Sequence, residues 1–441
     1  MFAIRRRIQV VVSLLFTTIA IYADWTPVVR HFTPNDYGAG TQNWGIVEQA
    51  NGWIYVANNY GLLEFDGSRW RLYGISNSTA VRSVARSANG DIYVGGTDEF
   101  GVFSPDAYGG LTYHSLSDSL PVRYRQFGEV WKIHIAKNAL YIQSRNYIFI
   151  NDLHGHTEVI DAGAVVYASV LVDGNLYVAT SRDIYVLNGN RLHALRGAEG
   201  LHGAVVSAML PYREHGVLIA TDFRGVYLYD GEQIRRFKTE ADNYIVANQL
   251  YTIAAGEHCL AFGTVRKGVV LTDLDGKHCR YITREDGLQN NTILSMLFDS
   301  RDNLWMGLDN GVDMMSSLAP VMYWHDKDID YGSGYTACEY QGTLYLGTNQ
   351  GLYAVRKGCP EGSMCLVEGS LGQVWSVAEV CGTLFCCHNR GLFTVQHNRL
   401  VPIETGDGVW SVKPLSDNEA VAGSYAGFYY LSKQGGIWKI R

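Results

Sequence analysis

The sequence predicts an all-β protein, a β-propeller of about ten four-stranded antiparallel blades. A unit of short strands and tight turns recurs about every 36–48 residues, which is the range found for such blades. The composition is rich in turn-forming and aromatic residues, with 48 Gly, 29 Tyr and 10 Trp among 441 residues but only 9 Pro. No stretch of helix length shows helical periodicity. These three observations together indicate a repeat protein built from strands.

The repeating unit is clearest at Leu297–Met314, which reads LFDSRDNLWMGLDNGVDM. An apolar strand comes before the polar turn Asp299–Asn303, a second strand follows it, and the turn Asp309–Gly311 leads into a third. Asp, Asn and Gly tolerate the tight or left-handed backbone of such turns. Related stretches occur at Ile54–Leu62, Ile92–Val102, Leu218–Val226, Leu344–Leu352 and Leu384–Leu392.

Ten repeats align on their first strands. These strands begin near Trp44, Val81, Val130, Val166, Val205, Leu250, Ile293, Tyr335, Val374 and Val409. Single rings usually hold about four to eight blades, so ten blades are too many for one ordinary ring. The stretch Ser316–Pro320 is a candidate boundary. We predict a first propeller of about seven blades over residues 24–318 and three blades of an incomplete second propeller over residues 319–441.

Residues 1–23 have the features of a secretory signal peptide. Arg5–Arg7 are positive, Ile8–Ile21 are apolar, and Ala23 fits the position before a cleavage point. The alternative is an uncleaved membrane anchor, although the apolar run is short for a span of about 20 residues. We therefore expect a periplasmic protein. A strand at Trp25–Phe32 precedes the first repeat and would suit the last blade of a ring, where it would cover a sheet edge.

The eight cysteines all lie in the C-terminal half of the chain. Cys359 and Cys365 flank a loop short enough to close, so they are the candidate disulfide in an exported protein. No cysteine has zinc-site spacing. Cys386 and Cys387 are neighbours in a strand and should point to opposite faces, so at most one need be buried. The alternative for most of the cysteines is a role as small apolar core residues.

Most repeats carry an aromatic residue at the start of the first strand. These candidate ligand-binding residues are Trp44, Trp131, Tyr167, Tyr251, Tyr335, Trp375 and Trp410. Repeats two, five and seven carry Val81, Val206 and Ile293 instead. The first strand of a blade lines the central channel, where flat apolar rings would stack on sugar faces. The alternative is that the rings pack between neighbouring blades.

A small basic pair, Arg123 and Arg125, lies on either side of Tyr124 between repeats two and three. In an extended segment the two side chains would point to the same side. They would then be able to bind the carboxylate of an acidic sugar in a bidentate manner. The alternative is a solvated loop, which is the usual place for arginine.

Sequence motifs give no sign of catalysis or of a cofactor. The chain contains no nucleophile elbow, no HExxH motif, no Walker loop and no EF-hand loop, and its 13 His residues show no metal-ligand spacing. The net charge of −7 gives no basic footprint for nucleic acid. We therefore expect a protein that is not an enzyme, with no metal and no cofactor.

The recurring pattern resembles the two-component-regulator propeller repeat. Asp299–Val312 is the nearest full-length match, with Asp302 where the pattern has Gly. The stretches Asn43–Gly67, Ile92–Phe103 and Arg125–Ile133 are similar to triple-tyrosine regulators that end in a LuxR-type helix-turn-helix. The resemblance covers nearly everything after the signal peptide. It implies the periplasmic sensor part of a bacterial regulator that detects an extracellular nutrient, often an oligosaccharide.

In that family the propellers are followed by an immunoglobulin-like domain, a membrane span and a kinase or DNA-binding output. None of these is recognisable in this sequence, so the expectation is a truncated sensor or one that acts through a partner. A homodimer or partner subunit would dock on the open blades. We therefore predict an exported, non-catalytic ligand-binding sensor. The alternatives are a carbohydrate-active propeller enzyme and a protein-interaction scaffold.

Overall fold

The computed structural model describes residues 25–106, 109–316, 322–324, 330–355 and 364–441. The predicted signal peptide therefore lies outside the described residues, as do residues 317–320 of the predicted boundary. The described chain divides into two compact units, one of Thr26–Met322 and one that contains Tyr323–Arg441. Ten four-stranded antiparallel sheets account for nearly all of the structure, which confirms the predicted fold class and blade count.

Seven of the ten blades form a ring within Thr26–Met322, and each of the first six is a meander of four consecutive strands. Their strands are Asn43–Glu48, Ile54–Asn58, Gly61–Phe65 and Trp70–Tyr73 (blade 1); Ser83–Arg86, Ile92–Gly95, Phe100–Pro105 and Leu111–Ser115 (blade 2); Val130–Ile135, Leu140–Ser144, Tyr147–Asn151 and Thr157–Asp161 (blade 3); Val166–Val172, Asn175–Thr180, Ile184–Asn188 and Arg191–Ala194 (blade 4); Val206–Tyr212, Gly216–Thr221, Gly225–Tyr229 and Ile234–Arg236 (blade 5); Leu250–Ala255, Cys259–Thr264, Val269–Asp273 and Arg280–Ile282 (blade 6).

Blade 7 takes its fourth strand from the beginning of the described chain. Its strands are Ile293–Phe298, Asn303–Leu308, Val312–Ser316 and Val29–Phe32. The buried carboxylate of Asp313 accepts hydrogen bonds from the backbone and side-chain nitrogens of Gln289 at 2.9 and 2.7 Å, and it lies 2.7 Å from Nδ1 of His31. The first strand of blade 7 packs against that of blade 1, so the ring is closed.

Blades 8 to 10 lie within Tyr323–Arg441. Their strands are Gly334–Tyr340, Thr343–Thr348, Leu352–Val355 and Cys365–Leu366 (blade 8); Val374–Val380, Thr383–His388, Gly391–Gln396 and Arg399–Thr405 (blade 9); Val409–Ser416, Glu419–Ser424, Phe428–Gln434 and Ile437–Ile440 (blade 10). Two further strands, Trp25–Pro27 and Met322–Trp324, form a two-stranded sheet.

Helices are short and lie in the loops between blades. Among the described residues, the α-helices are Pro34–Tyr37 and Asp242–Ala247, and the 3-10 helices are Ser117–Ser119, Val122–Tyr124, Glu199–Leu201 and Arg284–Asp286. Within the described residues, none of these helices has the length and apolarity that a membrane span requires. Helices therefore connect the blades without contributing a layer of their own.

Turn chemistry explains much of the repeat pattern. Asp66 begins the turn between the third and fourth strands of blade 1, and its carboxylate accepts hydrogen bonds from the backbone nitrogens of Ser68 and Arg69. Gly61 opens the third strand with φ +146°, and a Cβ there would collide with the carbonyl oxygen of Tyr73. Only glycine fits such a position without strain.

Blade 9 buries both faces of its central strands, one against blade 8 and the other against blade 10. Cys386 and Cys387 illustrate this, because Cys386 packs in the cluster with blade 8 and Cys387 in the cluster with blade 10. The two thiols point to opposite faces, as predicted, but both are fully buried, so the expectation that only one need be buried was wrong. Burial raises the pKa of Cys387 to about 12, which makes it an inert core residue.

Candidate ligand-binding site

The first strand of nearly every blade contains a β-bulge at its start. In nine blades the pairing between the first and second strands skips one residue, which lies on the first strand. The skipped residues are Trp44, Trp131, Tyr167, Ser207, Tyr251, Leu294, Tyr335, Trp375 and Trp410. All seven aromatic candidates from the sequence are in this set. A bulge redirects its side chain away from the regular pleat, so the seven rings share one structural position.

The alignment of repeats two, five and seven was shifted by one residue. Val206 and Ile293 pair regularly with the second strand, so Ser207 and Leu294 are the bulge residues. In blade 2 the register Ser83↔Gly95 matches Gly45↔Ala57 of blade 1. Arg82, and not Val81, therefore stands where blade 1 has Trp44.

Arg82 lies between two of the ring's aromatic candidates. Its guanidinium carbon is 4.2 Å from the ring centre of Trp44 and 5.9 Å from that of Trp131. The two indole rings meet edge to face at 5.8 Å and 75°. Asn59 Oδ1 accepts from Trp44 Nε1 at 2.9 Å and from Arg82 Nη1 at 3.2 Å. Blades 1, 2 and 3 thus form one packed cluster near the start of their first strands.

The electrostatics of this cluster are those of a partly buried cation. Burial lowers the pKa of Arg82, and the nearby Glu129 and Tyr251 oppose this shift. Burial also raises the pKa of Tyr251. Since the guanidinium covers a face of Trp44, that face is not free to stack on a sugar. Trp44 therefore packs against Arg82 and Trp131, and a ligand-binding role for its ring stays a prediction.

The bulge residues of blades 9 and 10 are arranged differently. The rings of Trp375 and Trp410 are stacked at 3.9 Å and 16°, and Tyr425 meets them edge to face at 5.5 and 4.8 Å. Tyr425 lies in the turn after the second strand of blade 10. Trp410 is 44% exposed and Tyr425 is 64% exposed. We call Trp375, Trp410 and Tyr425 the aromatic platform, because they offer ring surface to solvent.

Polar groups and a glycine surround the platform. Gln373 Oε1 accepts from Trp375 Nε1 at 3.1 Å. Asp407 Oδ2 accepts from the backbone nitrogen of Ala426 at 3.2 Å, and a hydrogen bond from Ser424 is the main cause that lowers the pKa of Asp407. A Cβ at Gly408 would lie 2.8 Å from Tyr425 and 2.9 Å from Trp375, so the rings rest on bare backbone. The surroundings combine flat apolar surface with a few polar groups, which is the usual composition of a ligand site.

The remaining candidates from the sequence, apart from the arginine pair, are Tyr335, Tyr167 and the predicted disulfide. Tyr335, the bulge residue of blade 8, is 50% exposed, and Tyr167 of blade 4 is partly buried. Cys365 is disulfide-bonded, whereas Cys359 lies outside the described residues, so their pairing stays a prediction.

The expected geometry of Arg123 and Arg125 was wrong. Val122–Tyr124 is a 3-10 helix and not an extended segment. Arg125 donates to the backbone oxygens of Leu120 and Asp118 at 2.9 and 2.7 Å, while Arg123 lies over the ring of Tyr124 at 4.8 Å. Arg125 therefore holds its own loop together, and a binding role for the pair stays a prediction.

Comparison with known proteins supports the repeat assignment. Residues 287–310 match the family model "Two component regulator propeller". This match confirms the resemblance predicted from the sequence. It covers most of Leu297–Met314, where the repeating unit is clearest, and includes the whole of the first two strands of blade 7. No curated protein matches the chain.

Solved structures share the fold at low sequence identity. The extracellular domain of BT3049 from B. thetaiotaomicron, described as a hybrid two component system, has a TM-score of 0.68 at 14% identity, over 94% of this chain and 60% of that chain. The corresponding domain of BT4673 has a TM-score of 0.55 at 15% identity, over 94% and 61%. This chain thus spans about 60% of the length of those domains.

The same fold also occurs in an enzyme. Virginiamycin B lyase from Staphylococcus aureus has a TM-score of 0.53 at 12% identity, over 67% of this chain and 100% of the lyase. Likeness at this level shows the fold alone. Within the described part of this chain, no group of three His, Cys, Asp or Glu residues is placed to hold a metal ion.

Proposed function

We propose that this chain is the ligand-binding part of an extracellular bacterial sensor and that it binds an oligosaccharide without turning it over. The aromatic platform is the observation that carries this proposal. Trp410 and Tyr425 offer exposed ring surface beside Asp407, which suits the C–H face and the hydroxyl groups of a pyranose. The regulator-type repeat and the fold shared with extracellular domains of two-component systems support the same assignment.

Signalling by such a protein requires that ligand binding changes an equilibrium between two arrangements. A ligand that bridges the bulge residues of blades 9 and 10 would favour the arrangement in which their rings are stacked. The platform is built from the first strands of these blades and the turn at Tyr425. The contact between its rings therefore depends on how the two blades pack against each other. A periplasmic location is part of the proposal.

A thermal-shift screen with neutral oligosaccharides tests the proposal. We expect one member of a panel to stabilise the chain that begins at Asp24 by about 2.7 kcal/mol when present at about 100 times its dissociation constant. Tyr425→Ala should reduce this shift strongly, because it removes an exposed ring of the platform. The measurement is the melting temperature with and without each sugar.

Tyr60→Ala is the matched control. Tyr60 occupies the same turn of blade 1 and is 65% exposed, against 64% for Tyr425. It should leave the sugar-dependent shift unchanged. No stabilisation by any sugar of the panel, or equal loss in both variants, would overturn the assignment of an oligosaccharide site to the platform.

A further inference from the structure

A second surface carries a charge pattern that neither the fold nor the platform explains. We define the entry face of the ring as the side on which the first strands begin and on which the turns between second and third strands lie. Four successive blades place arginine in these turns. The arginines are Arg145 (blade 3), Arg182 (blade 4), Arg224 (blade 5) and Arg266 (blade 6), and Lys267 follows the last of them. We call these five residues the basic arc.

The cations of the basic arc are exposed, and their side chains make few hydrogen bonds or ion pairs with other described residues. Among the described residues, the side chains of Arg145, Arg182 and Arg266 have no hydrogen-bond or ion-pair partner. Arg224 donates to the backbone oxygen of His202 at 3.2 Å. In the part of the chain that the structure describes, no carboxylate therefore forms an ion pair with these guanidinium groups.

The two carboxylates in these turns contact groups other than the arginines. Asp183 accepts from the backbone nitrogen of Ile184 at 2.8 Å and lies 3.5 Å from Nδ1 of His202. Asp222 accepts from the backbone nitrogen of Phe223 at 2.9 Å. Both acids serve their own turns, which leaves the positive charge of the arc available to a ligand.

The opposite face of the ring has the reverse charge for a structural reason. Its turns begin with aspartates whose carboxylates accept backbone hydrogen bonds, as Asp152, Asp230, Asp273 and Asp299 do. The fold needs these acids to form the turns. No comparable turn chemistry requires arginine on the entry face. The arc is therefore a feature of this sequence and not of propeller geometry.

A further uncompensated cation lies on a first strand next to the arc. Lys132 follows the bulge residue of blade 3, and its side chain reaches solvent. Surrounding protein nevertheless lowers the pKa of Lys132, and no carboxylate counteracts this effect. An anion at the entry face would stabilise the charged amine.

We propose that the basic arc binds an anionic oligosaccharide, one whose carboxylate or sulfate groups pair with the arginines of successive blades. Arginine matches such oxyanions because its planar donors can bind two oxygens at once. Phe223 is 49% exposed beside Arg224 and offers a ring for a sugar face. The net charge of −7 disfavours nucleic acid as the partner, since most of the chain would repel it. The arc belongs to the ring and the platform to blades 9 and 10, and each is tested by its own variants.

The test measures binding of dextran sulfate to the chain that begins at Asp24, with uncharged dextran as the comparison. We expect dextran sulfate to bind, to weaken as salt is raised, and dextran not to bind at this face. The triple variant R145Q/R182Q/R266Q should bind dextran sulfate about tenfold or more weakly, since it removes three exposed charge contacts. The variant R145K/R182K/R266K, which keeps the charges but loses the paired donors, should bind more weakly than the wild type and more tightly than the glutamine variant.

The matched control makes the same charge change on the opposite face. R69Q/R86Q/R301Q replaces three exposed arginines in or next to the turns of blades 1, 2 and 7. It should bind dextran sulfate as the wild type does, and so should Tyr425→Ala. Equal weakening by the control, or no binding by the wild type, would overturn the proposal. Tighter binding of a single-stranded oligodeoxynucleotide than of dextran sulfate would contradict the saccharide assignment.

Discussion

Phe32→Ala is expected to destabilise the seven-bladed ring by about 3–5 kcal/mol, the usual cost of removing a buried phenylalanine side chain. Phe32 ends the strand that completes blade 7 and is 5% exposed. Its ring lies 5.0 Å from Phe65, 5.3 Å from Trp70 and 5.7 Å from Trp305, so it joins blade 7 to blade 1. The substitution removes packing on both sides of the point where the ring closes.

Urea unfolding followed by tryptophan fluorescence measures this effect. Phe428→Ala is the control, because Phe428 is 84% exposed and its loss should change the free energy of unfolding by less than about 0.5 kcal/mol. A change in Phe32→Ala as small as in the control would show that the N-terminal strand does not hold the ring closed.

Acidification is expected to destabilise the ring through His134. Burial and the neighbouring Lys132 lower the pKa of His134 to about 3, and the contact with Ser169, 2.8 Å from Nε2, only partly opposes this. The unfolded state therefore takes up a proton below about pH 6.5, while the native state does not. Stability is lost as the pH falls, at about 1.4 kcal/mol per pH unit, and the loss reaches about 3 kcal/mol near pH 4.5.

The test compares the wild type with His134→Gln, which keeps a polar group near Ser169 but does not titrate. Other groups titrate equally in both proteins, so the difference between the two stability curves isolates His134. We expect this difference to be constant above pH 7 and to change steadily between pH 6.5 and pH 4. A difference that does not vary with pH would contradict a buried, neutral histidine.

The repeat pattern of the sequence was sufficient to predict the ten blades. Turn residues such as Asp66 and Gly61 are required by backbone geometry, so they recur with the blade and can be counted. The strand before the first repeat was also correctly expected, since Val29–Phe32 completes blade 7. Local chemistry determines the turns, which is why they can be recognised without a structure, whereas the pairing of Val29–Phe32 with blade 7 was expected because a sheet edge has to be covered.

The position of the bulge was harder to predict. It depends on which residue the neighbouring strand skips, and this is a property of the pairing and not of one residue. Aromatic residues marked the bulge in seven blades, but the bulge residues Ser207 and Leu294, and Arg82 at the equivalent position of blade 2, have no common character. A small residue directly after this position, such as Ser83, was the signal that could have corrected the alignment.

The platform and the basic arc were missed for a related reason. Tyr425 comes from a different strand connection than Trp375 and Trp410, and only the fold brings the three rings together. The arginines of the arc are about 40 residues apart, as the repeat length of such blades requires. They form one surface only after the turns between second and third strands have been aligned across blades.

Calorimetric titration of the best neutral oligosaccharide into two variants tests the central claim most directly. Trp410→Ala removes an exposed, stacked ring of the platform, whereas Trp44→Ala removes a ring that Arg82 covers. We predict at least about tenfold weaker binding for Trp410→Ala, corresponding to about 1.4 kcal/mol, and an unchanged dissociation constant for Trp44→Ala. Unchanged binding by Trp410→Ala together with loss in Trp44→Ala would contradict the account and would place the site at the mouth of the seven-bladed ring.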